Sequence, residues 1–232
     1  MFQVFHFKRL NSTNEKAKEI AKENIVIIAD EQTKGKGRFK RYWSSKRGGI
    51  YLSITVKIST EDIKYLTFIA AISACKAIET TLNLKTKIKW PNDLIYKNKK
   101  VCGILTETTN NKKTLAIVGI GMNTNNSLPS SIKKATSIKD IIKKKVNNKE
   151  IIKKLLEYFS EYIKLLKNKK YHKIIKDWKE NSFLGSKVKV KTIKKEYQGI
   201  AHDIDKDCFL IIKNKKDKIV IREGDITILN KQ

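Results

Sequence analysis

The 232-residue chain is expected to form an α+β fold, a mixed β-sheet flanked by helices, with a small all-β domain after it. Up to residue 124, short β-rich runs are interleaved with helical patterns. From 136 the apolar period becomes that of amphipathic helices, and at Gly185 the composition shifts again, to short alternating strands at close spacing. The expected domains are therefore residues 1–183 and 184–232.

Taken in order, residues 2–8 alternate as an edge strand. NSTNEKAKEIAKEN then opens a helix, with Ser12 and Glu15 at capping-box spacing. NIVIIAD (24–30) is a short apolar strand, and GIYLSITVKI (49–58) a longer β-rich run. EDIKYLTFIAAISACKAIETTLN (61–83) has the length and apolar recurrence of a buried helix. Three strand candidates follow: KIKW running into DLIYK (87–97), KVCGILTETT (100–109) and KTLAIVGIGMNT (113–124). The Asn-Lys-Lys between the first two suits a hairpin turn. ATSIKDIIKKK, NKEIIKKLLEYFSEYIKLLK and KYHKIIKDWKENS are amphipathic helices. The run after Gly185 reads as a small barrel, with too little core to stand without a larger neighbour.

The formal charge of +28 points first to nucleic acid. It comes, however, from 46 lysines against five arginines, spread over every segment, which describes a solvated coat and not a binding stripe. Three scattered cysteines and three scattered histidines offer neither a disulfide framework nor a zinc site. The start lacks the apolar core of a signal peptide, and no apolar run reaches the ~18–20 residues of a membrane span. A soluble, cytoplasmic protein is expected, with no specific DNA or membrane partner.

Against this lysine background the stretch KGKGRFKRYW (34–43) stands out. Five cations fall within residues 34–41 around two glycines, and residues 34–47 hold three of the five arginines, Arg38, Arg41 and Arg47. Glycines let backbone N–H groups face an anion, and arginine adds a planar fork for phosphoryl or carboxylate oxygens. No acidic residue lies between Gln32 and Ile58, so the loop is expected to settle only around an anionic ligand. Common nucleotide loops are absent: there is no GxxxxGK[ST], and GIGMN (119–123) closes a strand without the third glycine of a dinucleotide fingerprint.

Four stretches in order, STN (12–14), GKGRFKRYW (35–43), KWPNDL through KKVCGI (89–104) and VGIGMNTN (118–125), resemble the biotin protein ligase family. KWPNDL with a lysine ten residues after its Trp and a glycine three further on is the most specific of them. The resemblance spans the chain and implies a class II synthetase-like catalytic domain with an SH3-like C-terminal barrel. It implies two steps: ATP, with its Mg²⁺, activates biotin as biotinyl-5′-AMP, and biotin then passes to a lysine of a biotin carboxyl carrier protein. Ser12, Thr13 and Asn14 match the stretch that hydrogen-bonds the ureido ring, Gln32 a glutamine that contacts biotin, and Gly35, Lys36 and Gly37 the biotin loop. The family carries Arg where this chain has Lys36, a departure that bears on retention of the adenylate. Arg38 matches the arginine near biotin's carboxylate and the adenylate phosphate. Lys100 matches the lysine that bridges carboxylate and α-phosphate, and Gly103 is implied at biotin. Arg41, Trp43 and Asn123 are implied at ATP, the last two at the adenine. Trp90 and Pro91 are expected to shape the floor, and Asp93 to orient the acceptor amine. No residue is expected to ligate a metal.

Eleven residues precede Ser12, too few for the DNA-binding domain of many bacterial members, so repression is not expected. Two alternatives stay open: a lipoate ligase with a related fold, and a non-enzymatic nucleic-acid binder using the basic surface. The oligomeric state is not legible in the sequence.

Overall fold

The computed structural model describes residues 2–109, 115–193, 195–215 and 217–229. Its larger sheet has seven strands: β1 (Gln3–Phe7), β2 (Ile25–Ala29), β3 (Ile50–Lys57), β4 (Lys87–Lys89), β5 (Asp93–Tyr96), β6 (Lys99–Thr108) and β7 (Leu115–Met122). The order is β1-β2-β3-β7-β6-β5-β4, with β1 parallel to β2 at one edge and every other pair antiparallel. The described residues also form five α-helices: α1 (Thr13–Ile20), α2 (Ile63–Leu82), α3 (Ile138–Ile142), α4 (Asn148–Lys167) and α5 (Tyr171–Glu180).

Strand alternation gives the sheet two unlike faces. On one, Ile50, Leu52, Ile54 and Val56 of β3 join Ala116, Val118, Ile120 and Met122 of β7 in the main core. There α2 is buried, and Phe68 stacks on Trp178 of α5 with ring centroids 4.5 Å apart. By length and composition Thr60–Leu82 would pass for a membrane span, against the expectation from sequence, but 67% of that window is buried inside the fold. Its apolar character is that of a core helix, buried along most of its length. On the opposite face α1 packs Ala17 against Ile25, Ile27 and Ile117 in a small second core. Ser12 caps α1, its Oγ accepting from Glu15 N–H at 3.5 Å, as the capping spacing predicts.

Two elements differ from expectation. The strand read through 87–97 is two strands, because Trp90 and Pro91 reverse the chain between β4 and β5. The helix read over 135–145 shrinks to α3: Thr136 N–H donates to the Lys100 carbonyl, Ser137 caps the helix, and Lys143 ends it in the left-handed region at φ 60°. Of the last strand candidate, Lys113 and Thr114 lie outside the described residues.

The C-terminal segment forms an antiparallel sheet, β8 (Lys187–Lys191), β9 (Glu196–Ile204), β10 (Leu210–Lys213), β11 (Lys218–Ile221) and β12 (Asp225–Ile228), in the order β11-β10-β9-β8-β12. Trp90 is 2% exposed, and its Nε1 donates to the Cys208 carbonyl at 2.9 Å. Trp90 therefore ties the two sheets together and does not floor the cavity described next. Lys64–Asp207 and Lys179–Asp203 ion pairs reinforce the same junction.

Candidate active site

The cavity, of about 290 Å³, lies on the α1 side of the large sheet. Thirteen of the fourteen sequence-predicted site residues line it: Ser12, Thr13, Asn14, Gln32, Lys36, Gly37, Arg38, Arg41, Trp43, Asp93, Lys100, Gly103 and Asn123. Gly35 does not. A Cβ there would lie 2.4 Å from the Trp43 carbonyl oxygen, so Gly35 is needed for close passage of the loop over itself.

Sheet register builds the floor. Across the central strands Ser53 faces Gly119, which faces Leu105; one row on, Tyr51 faces Gly121, which faces Gly103. The glycines leave room that other side chains fill. A Cβ on Gly119 would be 2.3 Å from Asn14 Oδ1, and one on Gly121 would be 2.4 Å from Trp43 Nε1. The Trp43 indole thus lies on bare strand backbone, with the Lys100 ammonium 5.1 Å from its ring centre.

A closed polar network holds the end of the cavity beneath α1. Thr13 donates its backbone N–H to Gln32 Oε1 at 2.8 Å, with its hydroxyl oxygen 3.1 Å from the same atom, and Gln32 Nε2 donates to Ser45 Oγ at 2.8 Å. Ser53 Oγ lies 2.7 Å from Thr13 Oγ1 and 2.6 Å from Asn14 Oδ1, and Asn14 Nδ2 donates to Glu107 Oε2 at 2.6 Å. Asn123 is 2% exposed and accepts from Asn126 Nδ2 at 3.2 Å.

At the other end Lys100 Nζ lies 2.5 Å from Asp93 Oδ1, and Lys89 Nζ is 3.8 Å from Asp93 Oδ2. Burial pulls the Lys89 ammonium below the ordinary lysine pKa, with Asp93 opposing. The aim of Lys100 depends on a β-bulge. Leu94 pairs with Cys102 but Ile95 with Lys100, so Val101 is the extra residue. Without it, strict alternation would send Lys100 and Gly103, three apart, to opposite faces; with it, both face the cavity.

The basic loop is not without acids. Lys36 Nζ pairs with Glu15 at 3.0 Å, and Arg41 forms a two-pronged pair with Asp225 of β12, at 3.0 and 2.5 Å. These partners, distant in sequence, correct the expectation that nothing offsets the loop's charge. Gly37 N–H is also engaged, donating to the Arg41 carbonyl at 2.7 Å. Asp225 is held below the usual carboxylate pKa chiefly by its bond to Arg41. Arg38 is lowered by burial, against Asp225 and Asp93. The Arg41–Asp225 pair is well exposed, so its worth is no more than about 1 kcal/mol. Asp225→Asn is expected to speed trypsin cutting after Arg38, Lys40 or Arg41 by about two- to fivefold, the factor such an energy allows. An unchanged rate would show that the pair does not restrain the loop.

Residues 6–125 match the family model described as the Biotin/lipoate A/B protein ligase family. The chain belongs to that family. Residues 183–228 match a second model, the biotin protein ligase C terminal domain. The chain is 30% identical to the bifunctional ligase/repressor BirA of Bacillus subtilis, over 94% of this chain and 72% of that protein. It is 26% identical to the biotin–[acetyl-CoA-carboxylase] ligase of Mycobacterium tuberculosis, over 89% and 80%. Among solved structures, the biotin protein ligase of Aquifex aeolicus in complex with biotin and ATP superposes with a TM-score of 0.88 at 29% identity, covering 99% of this chain and all of that one.

Sequence reasoning missed Gly119, Gly121 and Asp225, which line the cavity, and Ser53 and Glu107, which brace Asn14 from behind it. A serine inside the apolar GIYLSITVKI and two glycines at alternate positions of VGIG were the available signals, since both mark strand positions where something other than core packing is accommodated.

Proposed function

We propose that the chain is an ATP-dependent ligase that makes biotinyl-5′-AMP and transfers biotin to a lysine of a biotin carboxyl carrier protein. The observation that carries this reading is a single cavity with two unlike ends in a chain of this family. One end is a hydrogen-bonded polar floor of neutral groups, suited to a cyclic urea. The other is a group of cations, Lys100, Arg38 and Arg41, suited to a carboxylate and phosphates.

In the first step a carboxylate oxygen of biotin attacks the α-phosphorus, and the bond to the β-phosphate bridging oxygen breaks, releasing pyrophosphate. Lys100 supplies an ammonium where charge develops, and Arg38 a fork for the same oxygens. Trp43 and Asn123 are assigned to the adenine, with Arg41 at the phosphates. Mg²⁺ belongs to the proposal as ATP's companion. It would enter with the nucleotide's phosphates, where it would offset their charge. In the second step the carrier's lysine, as free amine, attacks the acyl carbon and AMP departs. Asp93 orients that amine, and it also holds Lys100. The cytoplasm, where ATP and carrier meet, is the assigned location.

Incubation with biotin and ATP is expected to release pyrophosphate and leave adenylate bound, and titration with lipoate to give no comparable binding. Pyrophosphate release with lipoate in place of biotin would overturn the reading. Asp93→Asn is expected to slow activation about tenfold, through Lys100, and transfer about a hundredfold or more, within the range of one positioned acid–base group. Decay of preloaded adenylate onto carrier measures the second figure. Equal losses in both steps would show that Asp93 acts only through Lys100.

A further inference from the structure

Beneath the polar floor lies a charged pair with no part in the ligation chemistry. Glu107 of β6 accepts from Asn14 through Oε2 and from Lys18 Nζ through Oε1, at 2.6 and 2.8 Å. Burial works against the Lys18 ammonium, but Glu107 and Glu15 outweigh it and hold its pKa above the ordinary lysine value. Each Glu107 oxygen thus faces an N–H donor, and a carboxylate can only accept hydrogen bonds.

This fixes the rest of the row. Asn14 must turn its amide nitrogen to Glu107 and its Oδ1 to Ser53, where the Ser53 hydroxyl is 2.6 Å away. Asn14 Oδ1 can only accept, so it takes the single Ser53 proton, and the 2.7 Å Ser53–Thr13 contact is then made by the Thr13 hydroxyl proton. At the far end the Thr13 backbone N–H admits only the oxygen of Gln32, so Gln32 Nε2 donates to Ser45. Two amides are pinned, one at each end, and the hydroxyl protons between them are committed. Ser53 is 0% exposed, Thr13 4% and Asn14 5%, so water does not stand in for a misdirected donor.

We infer that Glu107, held by Lys18, is a positioning residue that sets the hydrogen-bond direction along the cavity floor, so that a cyclic urea meets one fixed pattern of donors and acceptors. The inference rests on the biotin reading above. It makes Asn14 an oxygen-presenting group toward Ser53 through a residue that never touches the ligand.

Glu107→Gln tests it, because one carbonyl oxygen must then serve both Lys18 and Asn14. The expected result is biotin affinity weakened about tenfold or more by calorimetry, as for a misdirected buried donor. ATP affinity and kcat at saturating biotin should stay within about threefold, because uniform binding is what is lost. Lys18→Met combined with Glu107→Gln frees that carbonyl for Asn14, and biotin affinity should return to within about threefold of wild type, a non-additive rescue. Thermal unfolding of the same samples separates rescue from refolding. Glu107→Gln binding biotin like wild type, or a double variant weaker than the single one, overturns the inference. A wild-type chain that takes up no biotin overturns the functional reading and the inference with it, and that control tells the two failures apart.

Discussion

Lys100→Met is expected to cut the rate of pyrophosphate release from biotin and ATP by about 10²–10³, the effect of removing one preorganised electrostatic contact. The methionine thioether chain matches the length and volume of the lysine stem, so Trp43 keeps its neighbour. What disappears is the ammonium 2.5 Å from Asp93 and above the indole. In the activation step an anionic carboxylate must approach an anionic phosphate. With Lys100 gone, the Asp93 carboxylate in the same corner is left facing them, its nearest partner lost and Lys89 at 3.8 Å and the more distant Arg38 remaining. The variant therefore loses an attraction and uncovers a repulsion. Lys100→Arg should not fully restore the rate, because a planar guanidinium spreads its charge over a fork and does not place it at the point the ammonium holds, 2.5 Å from Asp93. Single-turnover pyrophosphate release measures the loss, and a rate within about twofold of wild type would remove Lys100 from the role given to it here.

The fold was largely legible because hydrophobic period carries it. Strands β2, β3, β6 and β7 and helices α1, α2, α4 and α5 follow runs whose alternation or 3.6-residue recurrence is strong. Failures fall where local pattern yields to long-range contacts. The reversal at Trp90 and Pro91 that splits β4 from β5 is anchored by Trp90 on the Cys208 carbonyl, 118 residues away. The shortness of α3 depends on its entry pairing with Lys100. Within the site, motifs placed Lys100, Arg38 and the Ser12–Asn14 stretch in one cavity. They could not show the extra residue at Val101 that turns Lys100 toward it, because a bulge is a property of two strands and not of one. Glu107 and Asp225 were invisible for a related reason. Each is an ordinary surface-type acid in its own strand and acquires its partner only through the folded register.

Gly119→Ala is expected to weaken biotin binding about a hundredfold or more and to lower stability by about 1–3 kcal/mol, the usual cost of forcing a methyl into filled space. The added Cβ would lie 2.3 Å from Asn14 Oδ1, far inside contact distance. Neither side can yield easily. β7 is central, paired with β3 on one side and β6 on the other, so its backbone cannot drop away from α1 without breaking two ladders. Asn14 is held by Ser53 at 2.6 Å, by Glu107 at 2.6 Å and by the Leu105 carbonyl at 3.4 Å, and it sits in the first turn of a capped helix. The methyl must therefore break the Asn14–Ser53–Thr13 row or lift α1, and either outcome disorders the groups assigned to the ureido ring. Gly121→Ala provides the contrast. Its Cβ meets Trp43, whose indole sits on a loop and can swing outward, so biotin affinity should fall far less while nucleotide-dependent steps suffer. Because a ligand that binds only the folded state stabilises it by RT ln(1 + [L]/Kd), thermal unfolding with and without biotin reports both effects on one sample. Wild type and Gly121→Ala should be shifted upward by biotin, and Gly119→Ala should not. A full upward shift in Gly119→Ala would mean that biotin does not depend on Asn14 remaining where Gly119 lets it sit.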